Sequence, residues 1–282
     1  MKELNKKNFE KVISTALKED IGKRDVTTDL LIPKKEKAAA SFIAKQDGII
    51  VGLDIAKQVF KKLDEKIIWK NFVDDGAKVK AGTKIAEVKG SARALLSGER
   101  TALNFLQRMS GIATLTSVYV EKVSGTNAKI LDTRKTVPGL RLFDKYAVKC
   151  GGGTNHRIGL YDMVMIKDNH IKAAGSITEA VKQIKKNLKR KMKIEVETAN
   201  LDEVKEALNA GADIIMLDNM SLQEMKEAVA TINGKTKVEA SGKVNLENVR
   251  AVAETGVDYI SVGALTHSVK ALDISMKITN GK

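Results

Sequence analysis

From residue 129 onward the chain repeats one pattern that few folds can accommodate. Short apolar runs recur near 129–134, 162–167, 193–198, 213–219, 237–242 and 258–263. Segments of helical periodicity separate the later runs, at 176–190, 201–210, 221–231 and 245–255. This alternation predicts parallel strands, because a parallel neighbour needs a long crossover and a helix supplies it. Right-handed crossovers leave a doubly wound sheet or a barrel. Two helix-to-strand turns, Gly211-Ala212-Asp213 and Gly256-Val257-Asp258, are near copies, which favours the repeated unit of a barrel.

The residues before 111 lack that repeat. Phe9, Val12, Ile13, Ala16 and Leu17 fall at helical spacing, with Gly22 as a C-terminal cap. Residues 25–28 predict a turn, 38–51 a hairpin turning at Asp47-Gly48, 54–63 a helix and 66–72 a strand. Gly76, Gly82 and Gly90 punctuate further strands. Leu95, Leu96, Ala102, Leu103, Leu106 and Met109 form the apolar stripe of a helix over 91–123, and Gly111 marks an expected hand-over between domains.

The later runs end in polar residues: Arg134, Lys167, Glu197, Asp218, Ser241-Gly242 and Gly263. In parallel α/β folds the functional site lies at the carboxyl ends of the strands. Strand side chains alternate between faces, so Glu195 shares a face with Glu197, and Glu239 with Ser241. Glu195 and Glu239 then lie deeper and orient the cations. Taken singly, Lys167 or Glu197 reads as a surface residue and His156 as structural. Their convergence on one rim points to a site.

The loop between the first two runs carries Gly151-Gly152-Gly153 and His156-Arg157. Arg134, Lys135, His156, Arg157 and Lys167 thus bring cations to one place, and arginine grips carboxylate or phosphate through paired hydrogen bonds. Glu197 and Asp218 add hard oxygen ligands, which suits magnesium bridging phosphates. Ser241-Gly242 and Gly263 offer backbone amides that a phosphate can approach. The pattern suits a pyrophosphate-bearing substrate with magnesium, together with a second anionic substrate.

The net charge of +14 agrees with anionic partners. Aromatics at 4% leave few platforms for stacked bases, so nucleic acid is not the expected partner. No apolar run approaches the ~18 residues of a membrane span. The N-terminal MKELNKKNFEK has no apolar segment, so no secretory leader is expected. The single cysteine, Cys150, excludes an internal disulfide, and a cytoplasmic protein is expected.

Several segments together resemble the quinolinate phosphoribosyltransferases, the carboxylating nicotinate-nucleotide pyrophosphorylases. They are EDIGKRDVTT, GERTALNFLQRMSGIAT, DTRKTVPGLR, AVKCGGGTNHRIGLYDMVMIKDNHI, EVET, IMLDNM, EASG and SVGALTHS, and they span nearly the whole chain. The EASGK segment departs from the common EASGG form, with Lys243 in place of glycine. The resemblance implies an N-terminal α/β sandwich over 1–111, which the C-terminal tail is a candidate to join, and an incomplete parallel α/β barrel over 112–282. It implies that quinolinate and phosphoribosyl pyrophosphate give nicotinate mononucleotide, pyrophosphate and carbon dioxide. By position, Thr133, Arg134, Lys135, His156, Arg157 and Lys167 would hold quinolinate and nearby phosphate, with Lys135 and Lys167 also catalytic. Glu197 and Asp218 would meet ribose and magnesium and take part in catalysis. Ser241, Gly242, Lys243, Val262, Gly263 and Ala264 would take the ribose phosphate, and Arg100 would reach the barrel of a partner in a homodimer.

Three other readings compete. A pyrophosphorylase-like protein associated with molybdate transport shares much of the barrel, although the intact TRKTVPGLR and GGGTNHR segments weigh against it. A Schiff-base aldolase would use Lys167 at the end of an apolar strand. A nucleic-acid-binding protein would use the basic stretch from Lys182 to Lys193.

Overall fold

The computed structural model describes residues 6–280. Residues 1–5, on which the leader expectation partly rests, lie outside the described residues. In chain order the elements are α1 (Lys6–Ile21), α2 (Val26–Leu31), β1 (Lys37–Ala44), β2 (Gly48–Ile49), α3 (Leu53–Leu63), β3 (Ile68–Asn71), β4 (Lys78–Val79), β5 (Lys84–Ser91) and α4 (Ala92–Lys122). Then follow β6 (Lys129–Leu131), α5 (Arg141–Cys150), β7 (Val164–Ile166), α6 (Asp168–Ala174), α7 (Ile177–Asn187), β8 (Ile194–Thr198), α8 (Leu201–Ala210), β9 (Ile214–Asp218) and α9 (Leu222–Ile232). The last are β10 (Lys237–Ser241), α10 (Val249–Ala253), β11 (Tyr259–Ser261), α11 (Ala264–His267) and β12 (Ile274–Asn280). The chain forms two compact units, one of Met1–Leu115, Val137–Gly151 and Val269–Lys282, the other of Thr116–Thr136 and Gly152–Ser268.

The first unit holds an antiparallel sheet of order β12-β1-β5-β3. Ala38, Ala40, Phe42 and Ala44 of β1 are buried at alternate positions. Phe42 meets Phe60 of α3 and Trp69 of β3, at ring separations of 6.0 and 5.4 Å, which seats α3 on the sheet. β1 does not form the hairpin expected over 38–51. It pairs with β5 and β12 instead. Asp47, read as a turn residue, accepts from Lys80 Nζ at 2.7 Å and from the Ala81 amide at 3.0 Å, and β2 pairs with β4. Asp25 likewise does more than turn the chain. It accepts from the Thr28 amide at 3.0 Å and caps α2.

The boundary expected at Gly111 falls inside α4, which runs on to Lys122. A Cβ at Gly111 would lie 2.2 Å from the Lys270 carbonyl oxygen, so close backbone approach accounts for this glycine. α5, counted with the barrel in the sequence reading, groups with the first unit, and so does β12, in the C-terminal tail that was the candidate to join it. β12 completes the sheet along β1. α5 inserts Phe143 between Phe9 and Phe105, with ring separations of 4.5 and 5.2 Å, and its buried Asp144 accepts two hydrogen bonds from Arg108 at 2.9 and 2.8 Å.

The second unit is an all-parallel sheet of order β6-β11-β10-β9-β8-β7. The outermost strands β6 and β7 do not pair with each other, which makes the barrel incomplete. The twin turns have one physical role. Gly211 and Gly256 take positive φ, 75° and 95°, to end a helix. Asp213 then accepts from the Ile194 amide at 2.8 Å and Asp258 from the Val238 amide at 2.9 Å, each aspartate locking its strand to the preceding neighbour.

Candidate active site

Strand parity brings the polar residues together. Met165 and Lys167, Glu197, Met216 and Asp218, Ser241 and Ser261 line one cavity of about 460 Å³ at the carboxyl ends of the barrel strands. The same cavity is lined by Asp132, Thr133, Arg134, Lys135, His156 and Arg157, and by Asn219, Gly242 and Lys243.

Local bonds fix the cationic wall. Thr133 Oγ1 accepts from the Lys135 amide at 3.0 Å, and Thr266 Oγ1 donates to the Lys135 carbonyl at 2.7 Å. Lys167 caps α6, its amide donating to His170 Nδ1 at 3.0 Å, and its Nζ forms an ion pair with Glu197 Oε2. Pairing with a carboxylate is not the apolar setting that desolvates the lysine of a Schiff-base aldolase. The loop carrying His156 and Arg157 lies along β6. Thr154 pairs in parallel with Leu131, and its amide donates to the Ile130 carbonyl at 2.8 Å. The buried Asp132 then accepts from the His156 amide at 2.9 Å and from Asn155 Nδ2 at 2.6 Å. Burial and the neighbouring Arg134 both hold the Arg157 guanidinium below the usual arginine range. Two guanidiniums that repel each other at a cavity wall are prepared for an anion that bridges them.

The opposite charge comes from β8 and β9. Asn219 follows Asp218 in the left-handed region (φ 57°), donates its amide to the Ser241 carbonyl at 2.9 Å and its Nδ2 to Asp218 Oδ2 at 2.8 Å. Gly242 has φ 93°, and a Cβ there would lie 2.3 Å from Asn219 Oδ1. Lys243 is also left-handed (φ 49°), an uncommon state for a side chain of its size.

Glu195 and Glu239 do lie deeper, fully buried, and of the expected cationic residues the one they meet is His156. His156 Nε2 is 3.0 Å from Glu195 Oε2 and 3.4 Å from Glu239 Oε2, and Ser261 Oγ donates to Glu239 Oε1. The Arg157 amide donates to His156 Nδ1 at 2.7 Å. An accepting Nδ1 leaves the hydrogen on Nε2, facing the two carboxylates, so this trio is not a ready metal site, although its ligand atoms all lie within 4.8 Å of one another. Burial works against protonation of His156 and the two carboxylates work for it, so that its pKa is raised overall. Burial pushes Glu195 up to about 7, and the Glu239 charge adds to this. The Arg157 amide on Nδ1 leaves no room for a second ring hydrogen, so the raised Glu195 carboxyl is the group of the trio that takes up a proton.

Not every expected residue joins the cavity. Val262 is buried, and Gly263 and Ala264 lie at the start of α11, outside the lining. A Cβ at Gly263 would come within 3.1 Å of Lys135 and of His267. Arg100 is exposed on α4, among residues of the first unit. The sequence reading missed Asn219 and Thr266. The available signal for Asn219 was a left-handed-tolerant residue directly after a strand-end aspartate. Thr266 carried none, since its partner Lys135 is 131 residues away.

The quinolinate phosphoribosyl transferase C-terminal domain model matches residues 112–277, and the N-terminal domain model matches 25–110. The chain belongs to the quinolinate phosphoribosyltransferase family. Among its relatives in that family is the chloroplastic carboxylating nicotinate-nucleotide pyrophosphorylase of Oryza sativa subsp. japonica, 49% identical over 95% of this chain and 76% of the rice protein. The probable carboxylating nicotinate-nucleotide pyrophosphorylase of Bacillus subtilis is 46% identical over 98% of this chain and 95% of its own. The crystal structure of NadC from Streptococcus pyogenes superposes with a TM-score of 0.94 at 42% identity, covering 98% of both chains. The quinolinate phosphoribosyltransferase fold therefore extends over both units.

Proposed function

We propose that this chain transfers the phosphoribosyl group of phosphoribosyl pyrophosphate to the ring nitrogen of quinolinate, with loss of the 2-carboxylate, giving nicotinate mononucleotide, pyrophosphate and carbon dioxide. The observation that carries the reading is the single cavity lined by Arg134, Lys135, Arg157 and Lys167 and also by Glu197 and Asp218. Family membership over both domains agrees, and none of the matches cited favours the molybdate-associated alternative.

The division of labour follows from charge. Quinolinate carries two carboxylates, which Arg134 and Arg157 would bridge, relieving their mutual repulsion, with Lys135 and Lys167 close by. The ring nitrogen attacks the ribose carbon as pyrophosphate departs. Positive charge develops on the ribose, where the Glu197 and Asp218 carboxylates stabilise it. The nitrogen becomes a cation, and its charge stabilises the electron pair left on the adjacent ring carbon when the carboxylate departs as carbon dioxide. That carbon then takes up a proton. Ser241, Gly242 and Lys243 after β10, with Val262, Gly263 and Ala264 after the neighbouring β11, would receive the ribose phosphate.

The donor set also fits magnesium, since Glu197 and Asp218 offer hard oxygens at the ends of neighbouring strands, and these two would hold the ion. Magnesium, when bound, supplies neutralising charge to the departing pyrophosphate. The catalytic unit in this reading is a homodimer in which Arg100 of the partner subunit adds a further cation to the quinolinate pocket. A single cysteine suits a reducing, cytoplasmic setting, and among the described residues no helix is long and apolar enough to cross a membrane.

The test is direct. Purified protein with magnesium, phosphoribosyl pyrophosphate and quinolinate should release carbon dioxide and pyrophosphate in equal amounts, and failure to release either would refute the assignment. Glu197→Ala and Asp218→Ala should each lower kcat by about 100-fold or more and alter the magnesium dependence. Calorimetric affinity for quinolinate should change little. Collapse of quinolinate affinity with unchanged magnesium dependence would reverse the roles assigned to the two walls. Lys243→Gly should relieve the left-handed strain, so that stability rises slightly, by up to about 1 kcal/mol. It should weaken phosphoribosyl pyrophosphate several-fold, because a cation leaves the cavity. Thermal melting and a KM measurement read the two effects separately.

A further inference from the structure

We infer that Glu195 and Glu239 are positioning residues for quinolinate recognition, acting through His156 on Arg157. The inference rests on the substrate assignment above.

Barrel interiors of this kind are packed by branched apolar side chains. Here two carboxylates and an imidazole are buried together instead, at a cost that packing alone does not require. Their contacts converge on one short loop. β8 and β10 each send one carboxylate to His156 Nε2, and Asp132, directly after β6, accepts from the His156 backbone amide. The imidazole is thus held at both its side chain and its main chain. Its remaining nitrogen, Nδ1, takes the hydrogen of the Arg157 amide. Arg157 begins where this grip ends, and its Nη1 donates to the Met163 carbonyl at 3.3 Å. The trio therefore sets where the Arg157 guanidinium leaves the backbone, and with it the spacing from Arg134. His156 itself turns its Nε2 away from the cavity. It acts here as the link in this arrangement.

The two acids lie on different strands with different ends. Glu195 is followed by Glu197 and Glu239 by Ser241, and both of those are assigned to ribose, magnesium or phosphate. Damage confined to either strand would therefore appear in the use of phosphoribosyl pyrophosphate. A defect transmitted through His156 would appear in the use of quinolinate, and it would be the same for both acids.

The experiment compares wild-type full-length enzyme with Glu195→Ala, Glu239→Ala and Glu239→Gln, by steady-state kinetics with each substrate varied and by calorimetric titration of quinolinate. In both alanine variants the KM and Kd for quinolinate should rise about tenfold or more, while the KM for phosphoribosyl pyrophosphate stays within about twofold. Glu239→Gln should recover most of the affinity, because its amide oxygen can accept from His156 Nε2 while its NH2 group meets Ser261 Oγ. If the alanine variants fail to fold, Glu195→Asp and Glu239→Asp carry the same test, since they keep the charge but withdraw it by one methylene. Unchanged quinolinate affinity, or a defect confined to phosphoribosyl pyrophosphate, overturns the positioning role. A wild-type enzyme that neither binds nor turns over quinolinate overturns the substrate assignment and this inference together.

Discussion

Quinolinate should be turned over and nicotinate should be about 100-fold or more poorer in kcat/KM, because removing one partner of a charge pair in a binding site costs about 3 kcal/mol. The reason lies in the Arg134–Arg157 pair. Burial and the proximity of Arg134 hold the Arg157 guanidinium below its ordinary range, so an anion beside the two is favoured. A dianion with carboxylates on adjacent ring carbons offers one acceptor group to each guanidinium. Nicotinate offers only one acceptor group to the two guanidiniums. Arg134 is exposed in the isolated chain, so the discrimination should be smaller than for two fully buried charges. The check is a side-by-side assay of both acids with magnesium and phosphoribosyl pyrophosphate. Comparable turnover of nicotinate would contradict the role given to the two arginines.

Activity should return when two inactive variants are mixed. Arg100→Ala and Lys167→Ala are each expected to be nearly inactive alone. Lys167 lines the cavity, whereas Arg100 is exposed on α4 in the other compact unit and is assigned to the partner's site. In a twofold dimer each of the two equivalent sites would combine one subunit's barrel with Arg100 of the partner subunit. A mixed dimer then has one site carrying both defects and one wholly wild type. Random mixing at equal amounts makes about half the dimers mixed, so about a quarter of wild-type activity should return. Subunit exchange is verified first, by co-purification of two tags after mild unfolding and refolding. If exchange occurs and activity stays at the level of the separate variants, Arg100 does not act in trans.

The barrel strands and most of its helices were legible from local periodicity. Apolar runs separated by amphipathic segments are a property of neighbouring residues, and so is the parity that sets Glu197 beside Glu195 on one face. The paired Gly-x-Asp turns were legible for the same reason, since glycine supplies the positive φ and aspartate serves the adjacent strand. The charged strand ends located the cavity because parallel strands all present their carboxyl ends to one rim.

Tertiary structure decided what depends on distant partners. β1 looked like half of a hairpin, yet its neighbours are β5 and β12, and β12 lies more than two hundred residues away in sequence. α5 follows a barrel strand but packs with the first unit through Phe143 and Asp144, since a local pattern marks an apolar face without naming what covers it. The same holds in the site. Parity placed Glu195 and Glu239 inside the barrel, but only the fold brings His156 between them, because the loop that carries it is held by hydrogen bonds to β6. Residue type and spacing determine which chemistry is available along each strand; which groups meet is set by loop closure and long-range packing, and these leave no periodic trace in the sequence.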